Sequence, residues 1–150
     1  DILRQTSVIQ KEEQIKYFKD NVWNEMKLKY PSKILLSFKK ENNLIGYGGL
    51  VHLSWINLRG EVSFLLNPKF KEKSLDYKNI FKAYLDLIKE VAFLNLNLNR
   101  IYTETFSFRT NHIKILESKG FLLEGVLRQH LIINNKKYDS LIHGVIKDEK

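Results

Sequence analysis

The chain has 150 residues, 43% hydrophobic and 28% charged, enough to bury a core as one domain spanning 1–150. With no Cys there is neither a disulfide nor thiolate chemistry, which fits a reducing cytoplasm. No apolar run approaches the roughly 18 residues of a membrane span, and "DILRQTSVIQ" carries no signal-peptide pattern.

A net charge of +8 raises the question of nucleic acid. Of the 25 basic residues, however, only Arg4, Arg59, Arg100, Arg109 and Arg128 are arginines. The rest are Lys spread along the chain, with no interleaved aromatic motif. Base edges and phosphate forks favour Arg, so the expectation is no nucleic-acid partner, while a small anionic ligand stays compatible.

Residues 6–29 place Val8, Ile15, Phe18, Val22, Trp23 and Met26 at helical spacing, acidic at the start and closed by Pro31. Three strands are predicted at 33–39, 44–56 and 61–66, joined by the turns "ENN" and "NLRG". Gly46, Gly48 and Gly49 inside the second strand point to a bulge or a close backbone approach. The glycine-free loop "NPKFKEKS" leads into a long helix with its stripe at Tyr77, Ile80, Phe81, Tyr84, Leu87, Ile88, Val91 and Ala92. A strand "RIYTETF", a short helix ending at Gly120, and two strands around "NNKK" complete the chain. The order helix, β, β, β, helix, β, helix, β, β defines an α/β fold with a mixed, mostly antiparallel sheet flanked by helices. The strands at 61–66 and 100–106, linked across the long helix, are expected to be parallel.

"EVSFLLNP", the basic loop, the long helix and "NHIKILESKGFLLEGVLRQHLIINNKKYD" (residues 111–139) stand at a spacing that resembles the GNAT superfamily of acetyl-CoA-dependent N-acetyltransferases. The likeness covers about residues 44–147 and is to the branch holding ribosomal-protein and bacterial amino-sugar enzymes. That fold opens with a strand before its first helices. The chain begins inside the first helical region, so this strand is expected to be missing.

The resemblance implies a cofactor path. Phe64, Leu65 and Leu66 would run beside the pantetheine arm of CoA. Lys71, Lys73, Ser74, Leu75 and Asp76 fall in the pyrophosphate loop, and Asn111 and His112 at the following helix start. In the family, glycines let that loop's amides approach the phosphates. Here Glu72, Ser74 and Asp76 stand in their place, so the loop is expected either to hold CoA by an altered pose or only to cap a helix. Where many members carry a thiolate-protonating Tyr, this chain has Leu116.

The resemblance makes Glu61 the candidate base, with Asn111 and Tyr102 as further catalytic candidates. A strand-end carboxylate paired with Arg59 or a Lys is the plain alternative for Glu61. A lone His at a helix start, as His112 is, is more often a cap or surface residue. His52, Trp55, Glu104 and His130 lie on predicted strands that would line an acceptor cleft, though each could equally be core or rim.

The implied activity is that of an acyltransferase moving acetyl from acetyl-CoA to an amine, with no metal, by direct attack because no Cys can carry the acyl group. A nucleotide-linked amino sugar for bacterial surface glycans is the expected acceptor. A protein N-terminus or ribosomal protein, or a degenerate non-catalytic binding domain, are the alternatives. No membrane partner is expected, and a homodimer is left open.

Overall fold

A computed structural model describes residues 10–149. Its elements, in chain order, are α1 (Lys11–Tyr17) running into a π-helical turn (Phe18–Trp23), β1 (Ile34–Lys40), β2 (Asn43–Ser54), β3 (Arg59–Leu66), α2 (Leu75–Glu90) ending in a second π-helical turn (Val91–Asn95), β4 (Arg100–Phe106), α3 (Thr110–Ser118), β5 (Leu122–Ile133) and β6 (Lys136–Ile146). This is the predicted order. The expectation of a missing first strand lies outside the described residues.

One six-stranded sheet runs β1-β2-β3-β4-β6-β5. Every neighbouring pair is antiparallel except β3 and β4. Those two are parallel, as the long crossover requires, but only through Arg59↔Arg100, Gly60↔Ile101 and Glu61↔Tyr102. Beyond Glu61 they part: β3 stays on β2 as far as Leu66, and β4 stays on β6 as far as Phe106. The sheet therefore opens a wedge at its centre.

Local chemistry sets the punctuation. Glu41–Asn42 and Asn134–Asn135 form two-residue hairpin turns with both residues at positive φ, the geometry that matches strand twist and that Asn tolerates. Gly120, at φ 85, ends α3: its N–H bonds to the Glu117 carbonyl, and the Phe121 N–H to the Leu116 carbonyl, the double closure of a left-handed helix cap. Phe121 is fully buried as a result.

α2 packs on the sheet through Tyr77, Phe81, Tyr84, Leu85 and Ile88. The stripe is rotated from the predicted one: Leu87 is exposed and Leu85 is buried. Tyr84 reaches furthest. The Gly49 N–H donates to its hydroxyl at 2.7 Å, and the hydroxyl donates to the Ser63 carbonyl, so a side chain enters the β2–β3 ladder. Gly48 makes this possible, because a Cβ there would stand 2.6 Å from the Tyr84 hydroxyl. The glycine cluster thus serves a close approach.

The N-terminal helix corrects its prediction. Val8 of the expected apolar face lies outside the described residues; among those described only Val22 is buried, while Trp23 and Met26 are 50% and 73% exposed. The π-helical turn shifts the stripe off register and leaves a groove against β1 and β2. β2 also ends two residues early, at Ser54, so Trp55 lies in a turn. Among the described residues no helix is long and apolar enough to cross a membrane.

Candidate active site

The wedge between β3 and β4 is a cleft of about 310 Å³. Ser63, Phe64 and Leu65 form one wall, Thr103 and Glu104 the other, and Arg109, the N-cap of α3, with His112 and Leu116 of that helix closes the back. Glu61 sits where the strands part. A second cavity, about 420 Å³, lies beside it between the start of α2 and α3, lined by Glu72, Lys73, Ser74, Leu75, Lys78, Lys82, Asn111 and Lys114. It gathers four lysines around one helix start.

α3 serves both cavities because residues three and four apart share a helix face. Arg109, His112 and Leu116 face the cleft, and Asn111 and Lys114 face the lysine cavity. Asn111, expected both as catalytic and as cofactor-binding, lines the lysine cavity rather than the cleft that holds Glu61.

Glu61 is 14% exposed, and His52 Nδ1 lies 2.8 Å from its carboxylate. A bulge makes that contact. Between Val51↔Glu61 and Ser54↔Arg59 the β2 strand carries an extra residue, with His52 at φ 49. The left-handed residue turns the imidazole onto the face that Glu61 occupies. Glu104 lines the cleft, accepts from the Ser140 hydroxyl at 2.6 Å, and has His130 at 3.7 Å. Tyr102 flanks Glu61 in the last paired register position, below the opening. Burial and then the Glu61 charge raise its pKa. Trp55 is corrected out of the acceptor site: its indole donates to the Pro31 carbonyl at 2.8 Å and packs on Tyr30.

The glycine-free loop is ordered by its own turns. Phe70 N–H bonds to the Asn67 carbonyl, Lys69 N–H to the Asn67 side chain, and Ser74 N–H to the Lys71 carbonyl. Ser74 caps α2 by accepting the Tyr77 N–H at 3.1 Å, which leaves the first amides of the helix outside its ladder. Lys71 and Asp76 are exposed and line neither cavity, and Leu66 turns into the core. Lys73, Ser74 and Leu75 do line the lysine cavity.

Glu72 lines the lysine cavity and is tied to the start of α3. Its Oε2 takes Arg109 Nε at 2.9 Å and its Oε1 takes the His112 N–H at 3.3 Å. Arg109 Nη2 also donates to the Tyr77 hydroxyl at 2.9 Å, and that hydroxyl lies 2.8 Å from His112 Nδ1. His112 is thus no surface cap. It is buried and stacked 4.0 Å from Phe81 at 16°. Burial, then the Arg109 charge, hold its pKa well below the ordinary value. Burial pushes the Tyr77 hydroxyl up to about 12.

A pH dependence follows. A histidine kept neutral in the fold titrates normally when unfolded, so the folded state binds fewer protons and stability is lost as pH falls below about 6.5. His143, fully buried with Glu117 3.8 Å from its Nε2, is also lowered, by burial first, while Glu117 opposes that shift, and adds in the same sense. Denaturant unfolding is expected to show stability falling between pH 7 and 5 by up to about 1.4 kcal/mol per unit for each histidine. The Arg100-paired Glu124, whose pKa is lowered, contributes only at more acid pH. A flat profile from pH 7 to 5 would refute the assignment.

A parallel pair that splays at mid-strand, with a helix start beside the opening, defines an α/β fold with a sheet open at its centre. The description "Acetyltransferase (GNAT) domain" matches residues 1–142, and the chain belongs to the GNAT acetyltransferase family. The uncharacterized N-acetyltransferase YoaA of Bacillus subtilis (strain 168) is 28% identical over 105 residues, 69% of this chain and 56% of the relative. The spermidine N(1)-acetyltransferase of Vibrio cholerae is 26% identical over 99 residues, 66% of this chain and 54% of the relative. The matches thus span little more than half the length of these relatives. Among solved structures, spermidine N-acetyltransferase from Vibrio cholerae in complex with CoA and spermine superposes with a TM-score of 0.78 at 18% identity, covering 97% of this chain and 80% of that one. A probable acetyltransferase gives 0.72 at 22%, covering 90% and 75%. At such identities these two speak to the fold. Among the described residues no group of three or more His, Asp or Glu is gathered to hold a metal ion.

Proposed function

We propose that the chain moves acetyl from acetyl-CoA to the primary amine of a small acceptor, by direct attack within one ternary complex. The observation that carries this reading is the splayed β3–β4 cleft, with Glu61 at its apex and the lysine cavity at its mouth. The pantetheine arm would lie along Ser63–Leu65, pairing with strand edges left open by the splay. Lys73, Lys78, Lys82 and Lys114, with the free amides of α2, suit the phosphates by charge, where glycines would have served by close approach. Glu61, oriented by His52, would take the amine proton as nitrogen attacks the thioester carbon.

The acceptor side favours a cation. Glu61 and Glu104 line the cleft, and the adjoining cavity under α1 brings Glu13, Tyr17 and Phe18 with the Lys33 ammonium over the Tyr17 ring, a mix of carboxylates and aromatic faces that takes ammonium groups. The relative whose name states an acceptor is a spermidine acetyltransferase. These carboxylates would repel a nucleotide diphosphate, and none of the reported relatives supports the amino-sugar acceptor. A polyamine-like amine is the better reading.

Calorimetry with CoA tests the core of it. Binding is expected, and Lys73→Glu with Lys114→Glu should weaken it at least tenfold; no heat at millimolar CoA would leave a non-catalytic binding domain. An acceptor screen of spermidine, UDP- and CMP-linked amino sugars and peptides then separates the acceptor classes.

A further inference from the structure

Breaking the thioester leaves an electron pair on sulfur, and the cleft must stabilise it. Leu116, on the cleft wall, has no proton to give. The Tyr77 hydroxyl accepts from Arg109 Nη2, lies 2.8 Å from His112 Nδ1 and is pushed up to about 12 by burial, so it holds its own proton tightly. His112 is buried and stacked on Phe81, which keeps its ring neutral. Among the described residues lining the cleft, Arg109 is the permanently charged cation. Its side chain is 16% exposed. Nε is fixed by Glu72 and Nη2 by Tyr77, while Nη1 has no partner among the described residues.

We propose that Arg109 carries the CoA thiolate as a charge-paired leaving group, held in place by Glu72 and Tyr77, so that no side chain protonates the sulfur. The amine nitrogen bonds to the carbonyl carbon, the C–S bond breaks with its pair going to sulfur, the amine proton passes to Glu61 and on to water, and the thiolate takes a proton from water after leaving. A guanidinium does not give up its proton near neutral pH, so it acts by charge. Glu72 tempers that charge. The groups facing Arg109 are Glu72 from the loop, Tyr77 from α2 and His112 from α3, with Glu61, His52 and Glu104 across the cleft.

This rests on CoA binding as proposed above, and the experiment separates the two. Ultraviolet titration of the thiolate of CoA bound to the whole chain, against the same protein loaded with desulfo-CoA, gives the bound thiol pKa beside that of free CoA. The expected bound value lies about one unit or more below free CoA, about tenfold more thiolate at a given pH. Arg109→Gln should return it to or above the free value, Arg109→Lys should fall between, and Glu72→Gln should lower it further. A native value at or above that of free CoA, or one that neither Arg109→Gln nor Glu72→Gln moves, overturns the role of Arg109 while leaving CoA binding intact. Should Arg109→Gln not fold, the opposite shift in Glu72→Gln remains decisive. If neither CoA nor desulfo-CoA binds, both proposals fall together.

Discussion

Glu61→Gln is expected to lower kcat for acetyl transfer by about 10²–10⁴ with the acceptor that the screen selects, with KM for acetyl-CoA little changed. The side chain keeps its shape and its reach to His52 but loses the ability to take a proton. The nitrogen must shed that proton for the tetrahedral species to collapse forward, so the loss falls on chemistry rather than on binding. The position also explains why this carboxylate is suited to the task. It is the last β3 residue in register with β4, so it faces the opening from a point where both strands are still tied down. Its companion His52 projects from a bulge, and His52→Ala should cost less than Glu61→Gln because the base itself remains. Turnover of Glu61→Gln within twofold of native would remove Glu61 from the reaction.

Phe81→Ala is expected to destabilise the fold by about 3–5 kcal/mol in denaturant unfolding, the cost of deleting a buried aromatic and leaving a cavity. Phe81 is 1% exposed, stacks on His112 at 4.0 Å and lies 4.6 Å from the Phe64 ring. It is thus the packing link between α2, the cleft wall on β3 and the start of α3. Loss of that link should also loosen His112, and with it the Tyr77–Arg109 arrangement, so any residual activity of folded protein should fall too. A cost below about 1 kcal/mol would mean the three elements are held together by something else.

Much of this architecture could be read along the chain. Alternation of apolar residues and turn residues such as Asn134–Asn135 and Gly120 located all six strands and the helices between them, because period and backbone conformation are local properties. The loop's lack of glycine and the absence of an acid at Leu116 were also visible, and both bear on how a CoA-type ligand could be held. The glycine cluster at 46–49 signalled a close approach, though not that Tyr84 makes it.

The partnerships at the cleft were not legible, for a reason of distance and direction. Glu72 and Arg109 are 37 residues apart, Tyr77 and His112 35, and Tyr84 and Ser63 21. Residue types give no hint that a loop carboxylate will cap α3 and pair with Arg109. His112 reads as a surface residue until α2 and β3 close over it and strip its water, which is also what lowers its pKa. Trp55 reads as a cleft residue until the strand ends one position before it.

From residue order alone come the element sequence, the caps and turns, the family resemblance and Glu61 as the carboxylate to test. All of these depend on near neighbours or on spacing along the chain. Folding in three dimensions sets where β3 and β4 separate, which way the bulge turns His52, and which charges meet around Arg109. Those depend on packing between segments far apart in the chain, where burial and proximity, rather than composition, determine what a side chain can do.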